Sequence, residues 1–319
     1  MRPTLLSVWR DGLTRARRAP AVWLLLWALT LATTALPAWH MQGAITTHLG
    51  SSLASARVAD GMDYDWLQEF QRSGSLQRSM RVDVIGGAAV VDNTSALLDA
   101  GTRPQVVAVT GALFVLLLWL LTPGCIHRVA HNAPIGASQF ASTCGRLLLP
   151  MLRLNLGAAV VYGALFGSVH MWLFDTVFEQ TTRELTVERT AFLIRIACYA
   201  AFLLLVGFVN LVADVARVRM VVEGRRSAVA SAVAALSFIG RHVRLTAGAY
   251  VLNVLLLGVV MTAYAFTAPG VGTAGWDMWT AFAAGQVYLL ARLGVKLVFW
   301  GSETAALQQV YRAPGFVRA

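Results

Sequence analysis

Lysine is nearly missing from this sequence: Lys296 is the single one, and every other basic side chain is an arginine. Ionisable residues are scarce altogether. Only 13% of the chain is Asp, Glu, Lys or Arg, against 57% hydrophobic, and the mean hydropathy is +0.62. So few charges cannot solvate the surface of a 319-residue globular protein, which excludes an ordinary soluble enzyme or binding domain. The three cysteines, Cys125, Cys144 and Cys198, are too few and too scattered for a disulfide framework. Catalytic signatures are lacking too, with no H-E-x-x-H, no G-x-S-x-G and no G-x-x-x-x-G-K-[ST]. The expectation is a chain that is not an enzyme, with no catalytic residues, no metal and no cofactor.

What fills the chain instead is long apolar runs. A helix needs about 20 apolar residues to cross a bilayer core. Spans are predicted at 21–38, 105–122, 154–174, 190–212, 245–268 and 278–300. The fold class expected is therefore all-α: a polytopic transmembrane bundle forming one membrane domain over 1–319, with interfacial amphipathic helices. Residues 41–104 are expected to form an external helical insertion. The net charge of +10 is distributed unevenly. The side holding both termini collects 16 Arg and 4 acids, the other side 7 Arg and 12 acids, and Arg195, Arg292 and Lys296 lie inside spans. That asymmetry follows the positive-inside rule. It places both termini in the cytoplasm. It also makes the partner of the basic surface the lipid bilayer and not nucleic acid, because no long soluble basic face exists.

Residues 1–19 combine five arginines with an apolar stripe of Leu5, Leu6, Val8, Trp9 and Leu13. This predicts a helix in the cytoplasmic interface, its arginines reaching headgroups. A cleaved signal peptide shares the basic-then-apolar order, but Leu36-Pro37-Ala38 makes a poor cleavage site. The acids Asp60, Asp63, Asp65 and Glu69 lack the spacing of a calcium loop and read as helix caps and a negative first turn. Residues 227–240 read as an amphipathic helix in the cytoplasmic interface. Ser227 is its N-cap, and Val229, Val233, Leu236 and Ile239 or Gly240 form its buried face. An internal repeat is suggested by RLNLGA at 153–158 against RLTAGA at 244–249, each following a Ser-started segment.

Other motifs carry ordinary readings. Gly270 to Gly275 spells G-x-G-x-x-G, but in a short external loop with no strand before it, so it is a turn. Cys125, His127, His131 and Cys144 have zinc chemistry without converging spacing. His170 and Arg195 lie at similar depth and are expected in a structural contact. Ala159, Gly163 and Gly167 form a small-residue ladder on span 3. Its expected use is close packing against a sister span, with a homodimer or protein partner as the other possibility.

Two polar stripes remain. Asn210, Asp214 and Arg217 lie on one face at the inner end of span 4, and Arg292, Lys296 and Glu303 lie near one line on span 6. Both spans run inward. Lys296 matches Asp214 in depth, while Arg292 lies nearer Asn210. An intramembrane polar cluster of Asn210, Asp214, Arg217, Arg292 and Lys296 is expected, chiefly as a structural lock. A proton or ligand site between the spans is the functional alternative.

The stretch NLVADVARVRMVVEGRRSAVASAVAALSFIGRH, with GRLLLPMLRLNLGA before span 3, resembles six-span bacterial inner-membrane proteins. In style it is similar to the membrane domain of some glycerophosphodiester phosphodiesterases. No phosphodiesterase catalytic domain is present, so that activity is not implied. Three roles are open: a non-enzymatic scaffold or component of a transport or envelope assembly, an ABC-type exporter permease working with a separate ATPase, and an intramembrane enzyme using Asp214 or the His127/His131 pair.

Overall fold

In a computed structural model the chain is helical throughout the described residues, which are 3–50, 52–60, 63–80, 86–269 and 275–312. Helix α1 (Leu5–Arg17) begins with a capping box. The Thr4 hydroxyl accepts from the Ser7 amide and the Ser7 hydroxyl accepts from the Thr4 amide, which satisfies two of the orphan donors at the helix start. Then follow α2 (Pro20–Gly50), α3 (Ser55–Asp60), α4 (Tyr64–Arg72), α5 (Ala88–Leu98), α6 (Gln105–His131) and α7 (Ala137–Thr182). The last four are α8 (Glu188–Glu223), α9 (Ala228–Arg241), α10 (Val243–Thr267) and α11 (Trp276–Arg312). Helices α2, α6, α7, α8, α10 and α11 are long and apolar enough to cross a membrane. This is an integral, multi-pass membrane protein.

The helices run on past several of the predicted spans. Pro37, Pro123 and Pro150 lie inside α2, α6 and α7. Away from water the backbone has nothing better to bond than its own ladder. Beside Pro123 the Thr122 hydroxyl donates to the Leu118 carbonyl and the Cys144 thiol to the Leu121 carbonyl. Helix α7 likewise continues to Thr182, beyond the predicted span at 154–174. The suggested repeat is not a geometric one: α7 is unbroken through its copy, whereas the chain breaks at His242 between α9 and α10 in the other.

Packing is concentrated at the end that carries α1 and the last turns of α11, here the basal end. Core residues there include Ile126, Leu147, Met151, Met220, Leu297 and Trp300, each nearly inaccessible. Helix α1 is not a surface float. Val8 and Ala16 are buried, and Gly12 meets Gly301 backbone to backbone. Arg15, expected among the headgroups, turns inward instead. It pairs with Asp11 at 3.0 Å and donates to the carbonyls of Val129 and Ala130, the electronegative end of α6. Arg10, Arg17 and Arg18 do stay exposed. Trp9 donates to Asn253, which donates to Ser302, so one chain of bonds joins α1, α10 and α11.

Helix α9 forms where expected, capped by the Ser227 hydroxyl on the Ala230 amide, but of the expected buried face only Ile239 is buried. Ser231, Ala235, Phe238 and Ile239 are buried, while Val229, Val233 and Leu236 are exposed. The small side chains Ser231 and Ala235 permit close approach to the bundle; the branched ones are left for lipid. Apolar periodicity cannot tell those two neighbours apart.

At the opposite, distal end the spans are loosely packed. A cavity of about 480 Å³ separates α2 from α6, lined by Thr30, Thr33, Thr34 and Phe114 among others. The insertion is helical, as read: Trp66, Leu67 and Phe70 of α4 bury against Met41, Ile45 and Leu49 on the extension of α2. Asp63 caps α4 and takes Arg57 at 2.7 Å.

The α1–α11 crossing sets a steric test. A Cβ on Gly12 would lie 2.7 Å from the Ser302 amide nitrogen, whereas Gly240 has nothing within 4 Å. Gly12→Ala is expected to lower stability in detergent by about 1–3 kcal/mol, and Gly240→Ala to raise it by about 0.5–1 kcal/mol. Thermal unfolding of both variants beside the parent checks the pair.

Candidate functional site

Helices α8 and α11 both run from distal to basal, so residues on them can be matched by depth. Asp214 on α8 is fully buried. Its Oδ2 receives Lys296 Nζ at 2.9 Å and its Oδ1 receives Arg217 at 2.6 Å. Arg217 Nε donates in turn to Asn155 of α7 at 2.8 Å. One turn further distal, Asn210 donates to the Tyr250 hydroxyl of α10 at 2.9 Å and accepts from the Tyr162 hydroxyl of α7 at 3.3 Å. Four spans thus meet at one polar layer, and the ammonium of Lys296 lies 5.1 Å over the Trp300 ring.

The expected pairing of Asp214 with Lys296 is present, and the other expectations divide. Asn210 bonds tyrosines and not Arg292. Arg292 has no carboxylate partner among the described residues; its guanidinium lies over the Tyr288 ring at 5.5 Å. Glu303 shares the face but neither of its carboxylate oxygens has a hydrogen-bond partner among the described residues. Sequence reasoning missed Tyr162, Tyr250 and Asn155. Each is a lone polar residue within an apolar run, a signal that marks an inward face but names no partner.

On α11, Gln286 bonds Trp27 of α2 at 2.8 Å, Tyr288 stacks on Tyr264 of α10 at 4.0 Å, and Val287 is 66% exposed. Arg292 lies on the line between Tyr288 and Lys296, within about 40° of each and about 140° from Val287 at 100° per residue. It therefore lies on the side of α11 that bears Tyr288 and Lys296, and it is exposed. Further distal, Phe166, His170 and Phe174 of α7 pack edgewise or tilted against Phe202 and Tyr199 of α8. Two π-helical turns, Leu165–Val169 and Trp172–Phe178, occur in this part of α7, a feature often found at functional sites.

Helix α5 spans the distal mouth. At its start a Cβ on Gly87 would lie 2.3 Å from the Ala265 carbonyl oxygen of α10, so only glycine admits that approach. At its end His170 Nε2 meets the Leu98 carbonyl at 2.8 Å, and the Tyr199 hydroxyl donates to Asp99 at 2.5 Å. His170 and Arg195, expected to touch each other, both serve this anchorage instead, Arg195 lying 3.9 Å from Asp99. Tyr199 is 15 residues from Asp214 and Ala265 is 15 from Tyr250. The mouth therefore stands about 22 Å above the polar layer on both sides.

The remaining candidates do not join this site. Ala159, Gly163 and Gly167 are exposed and a Cβ on either glycine would touch nothing. The expected packing against a sister span is absent because α6 and α8 meet α7 on its other faces. The His127 and His131 rings lie tilted to each other with centroids 4.5 Å apart, His127 beside Gln139. Among the described residues no three His, Cys, Asp or Glu side chains gather to hold a metal. Of the Gly270–Gly275 stretch, all but Gly275 lies outside the described residues.

Fold and site together define a class: a six-span helical membrane protein with a charge-paired layer inside the bundle and a short helix tying the distal ends of three spans above it. Neither the family models nor the curated proteins and solved structures compared with the chain match it.

Asp214 answers two cations, so the substitutions there rank unequally. Asp214→Asn strands both Lys296 and Arg217 and is expected to cost about 3–5 kcal/mol. Lys296→Met leaves the Arg217 bond and is expected to cost clearly less, as guanidine or thermal unfolding in detergent will register. A pH test addresses α5. The Tyr199 hydrogen bond, with Ser95 and the charge of Arg195, holds the Asp99 carboxyl below the usual carboxylate range against the opposing push of burial. A lowered folded-state value stabilises above the unfolded value and is lost as pH falls through the folded one. Spin labels on α5 and distal α8 are expected to hold one distance at neutral pH and to spread only below about pH 3.9. Asp99→Asn is expected to show that spread already at neutral pH.

Proposed function

We propose that the chain is a non-enzymatic component of a transport or envelope assembly in the cytoplasmic membrane of a bacterium. Its basal end faces the cytoplasm and its loosely packed distal end faces outward. The observation that carries this reading is the division of the bundle: a dense, charge-paired basal half beneath an open distal half that α5 crosses as a strap. An enzymatic role for Asp214 is disfavoured by its two cation partners, which hold it as a counter-ion.

The exporter-permease reading stands second. It needs α1 and the 124–146 segment as a platform for an ATPase, yet α1 is spent on packing against α11 and most of 124–146 belongs to the ends of α6 and α7. The exposed small-residue face of α7 offers a seam for a second copy or another membrane partner. The resemblance to six-span inner-membrane proteins accords with all of this.

Two measurements test the proposal. Reporter fusions after residue 312 and within 63–80 should report opposite sides, the first cytoplasmic. A cysteine at Arg292, in a chain whose own cysteines are serines, should react with an impermeant maleimide added from the outside. Labelling solely from the cytoplasmic side, or both fusions on one side, overturns the reading.

A further inference from the structure

Where α7, α8 and α9 meet, the bundle has a recess of about 430 Å³, within the range of small-ligand pockets, about 300–1,000 Å³. Small residues from all three helices make room for it: Gly157 and Ala158, Ala213 and Ala216, Ala228 and Ala232. A Cβ on Gly157 would meet nothing. Arg153 is the one lining residue with a polar side chain; the others are apolar. It is exposed, and it has no ion pair or hydrogen bond among the described residues.

Arg153 marks the basal end of the recess. It lies two residues basal of Asn155, which holds Arg217. Val161 and Phe208 mark the distal end. On α7, Val161 is eight residues from Arg153, about 12 Å along the helix. On α8, which runs the opposite way, Phe208 is likewise eight residues from Ala216. The recess therefore has a polarity, with one cation toward the basal surface and apolar walls toward the middle of the bilayer. A phospholipid of the basal leaflet has the same polarity, its head outward and its chains inward. The cation selects an anionic head, since the donors of a guanidinium match phosphate oxygens.

We propose that this recess is a binding site for an anionic phospholipid of the basal leaflet. One acyl chain lies between α7, α8 and α9, and the phosphate lies on Arg153. The site gives a use to Val229 and Leu236 of α9, which line the recess while remaining exposed. It is separate from the Asp214 layer, and it holds whichever side of the membrane the basal end faces.

The test is native mass spectrometry of the full chain, released from detergent with phosphatidylglycerol or with phosphatidylcholine of the same acyl chains. One phosphatidylglycerol is expected to stay bound at collision energies that strip phosphatidylcholine. Arg153→Gln should raise its dissociation constant about tenfold, the scale of one charge-assisted contact. Gly157→Leu fills the recess without striking the protein, and should weaken retention with Arg153 still in place. Arg244→Gln, at an exposed basal position outside the recess, should leave retention unchanged. On the unaltered protein, phosphatidylglycerol with a diazirine in its acyl chain should crosslink within 153–161, 208–216 or 228–236. This last arm needs no folded variant. Equal retention of the two lipids, or no loss in Arg153→Gln, overturns the anionic head. No loss in Gly157→Leu, or crosslinks confined to other segments, overturns the recess. A dimer that Gly157→Leu disperses, with no lipid held, assigns the recess to a second copy and overturns the lipid.

Discussion

A single buried carboxylate holds the bundle in register. Asp214 has no exposed surface, and its two oxygens are divided between a lysine from α11 and an arginine one turn along its own helix. Water offers such charges nothing at that depth, so each must find its partner inside the protein. The requirement fixes the relative height of α8 and α11 to within a turn, because sliding either helix that far would part Lys296 from Asp214. Through Arg217 and Asn155 the constraint extends to α7, and through Asn210 and Tyr250 to α10.

The dense half of the molecule is built downward from that layer. Backbone contact between Gly12 and Gly301 lets α1 lie directly on α11, and Arg15 ties the same helix to the last carbonyls of α6. An amphipathic N-terminal segment has thereby become part of the core. Its apolar stripe found protein where the sequence alone suggested lipid. Above the layer the same six helices diverge, and their distal ends are held by the short α5 and by the α4 cluster on α2. A rigid base and a loosely tied top are the mechanical arrangement in which a cleft can open without unfolding the protein. The strap's bonds are few, partly exposed and polar, so releasing them costs little compared with breaking the base.

Much of this protein was legible in the residues themselves. The number of spans, the helical insertion, the start of α9 at Ser227 and the pairing of Asp214 with Lys296 all follow from local rules. Apolar length, capping chemistry and the cost of lone charges act over a few residues or one helix face. Tertiary structure decided the rest. Whether an apolar face meets lipid or protein is not written in its hydropathy, so α9 turned its Ser231–Ala235 side inward and the Ala159–Gly163–Gly167 ladder stayed outside. Whether a proline ends a helix depends on what surrounds it, so Pro123 and Pro150 lie within helices. The fate of Arg292 is the sharpest case. Its phase on α11 could be computed from the sequence. That it would lie over Tyr288, and leave Asp214 to Lys296 and Arg217, was decided by packing among helices remote from one another in the chain.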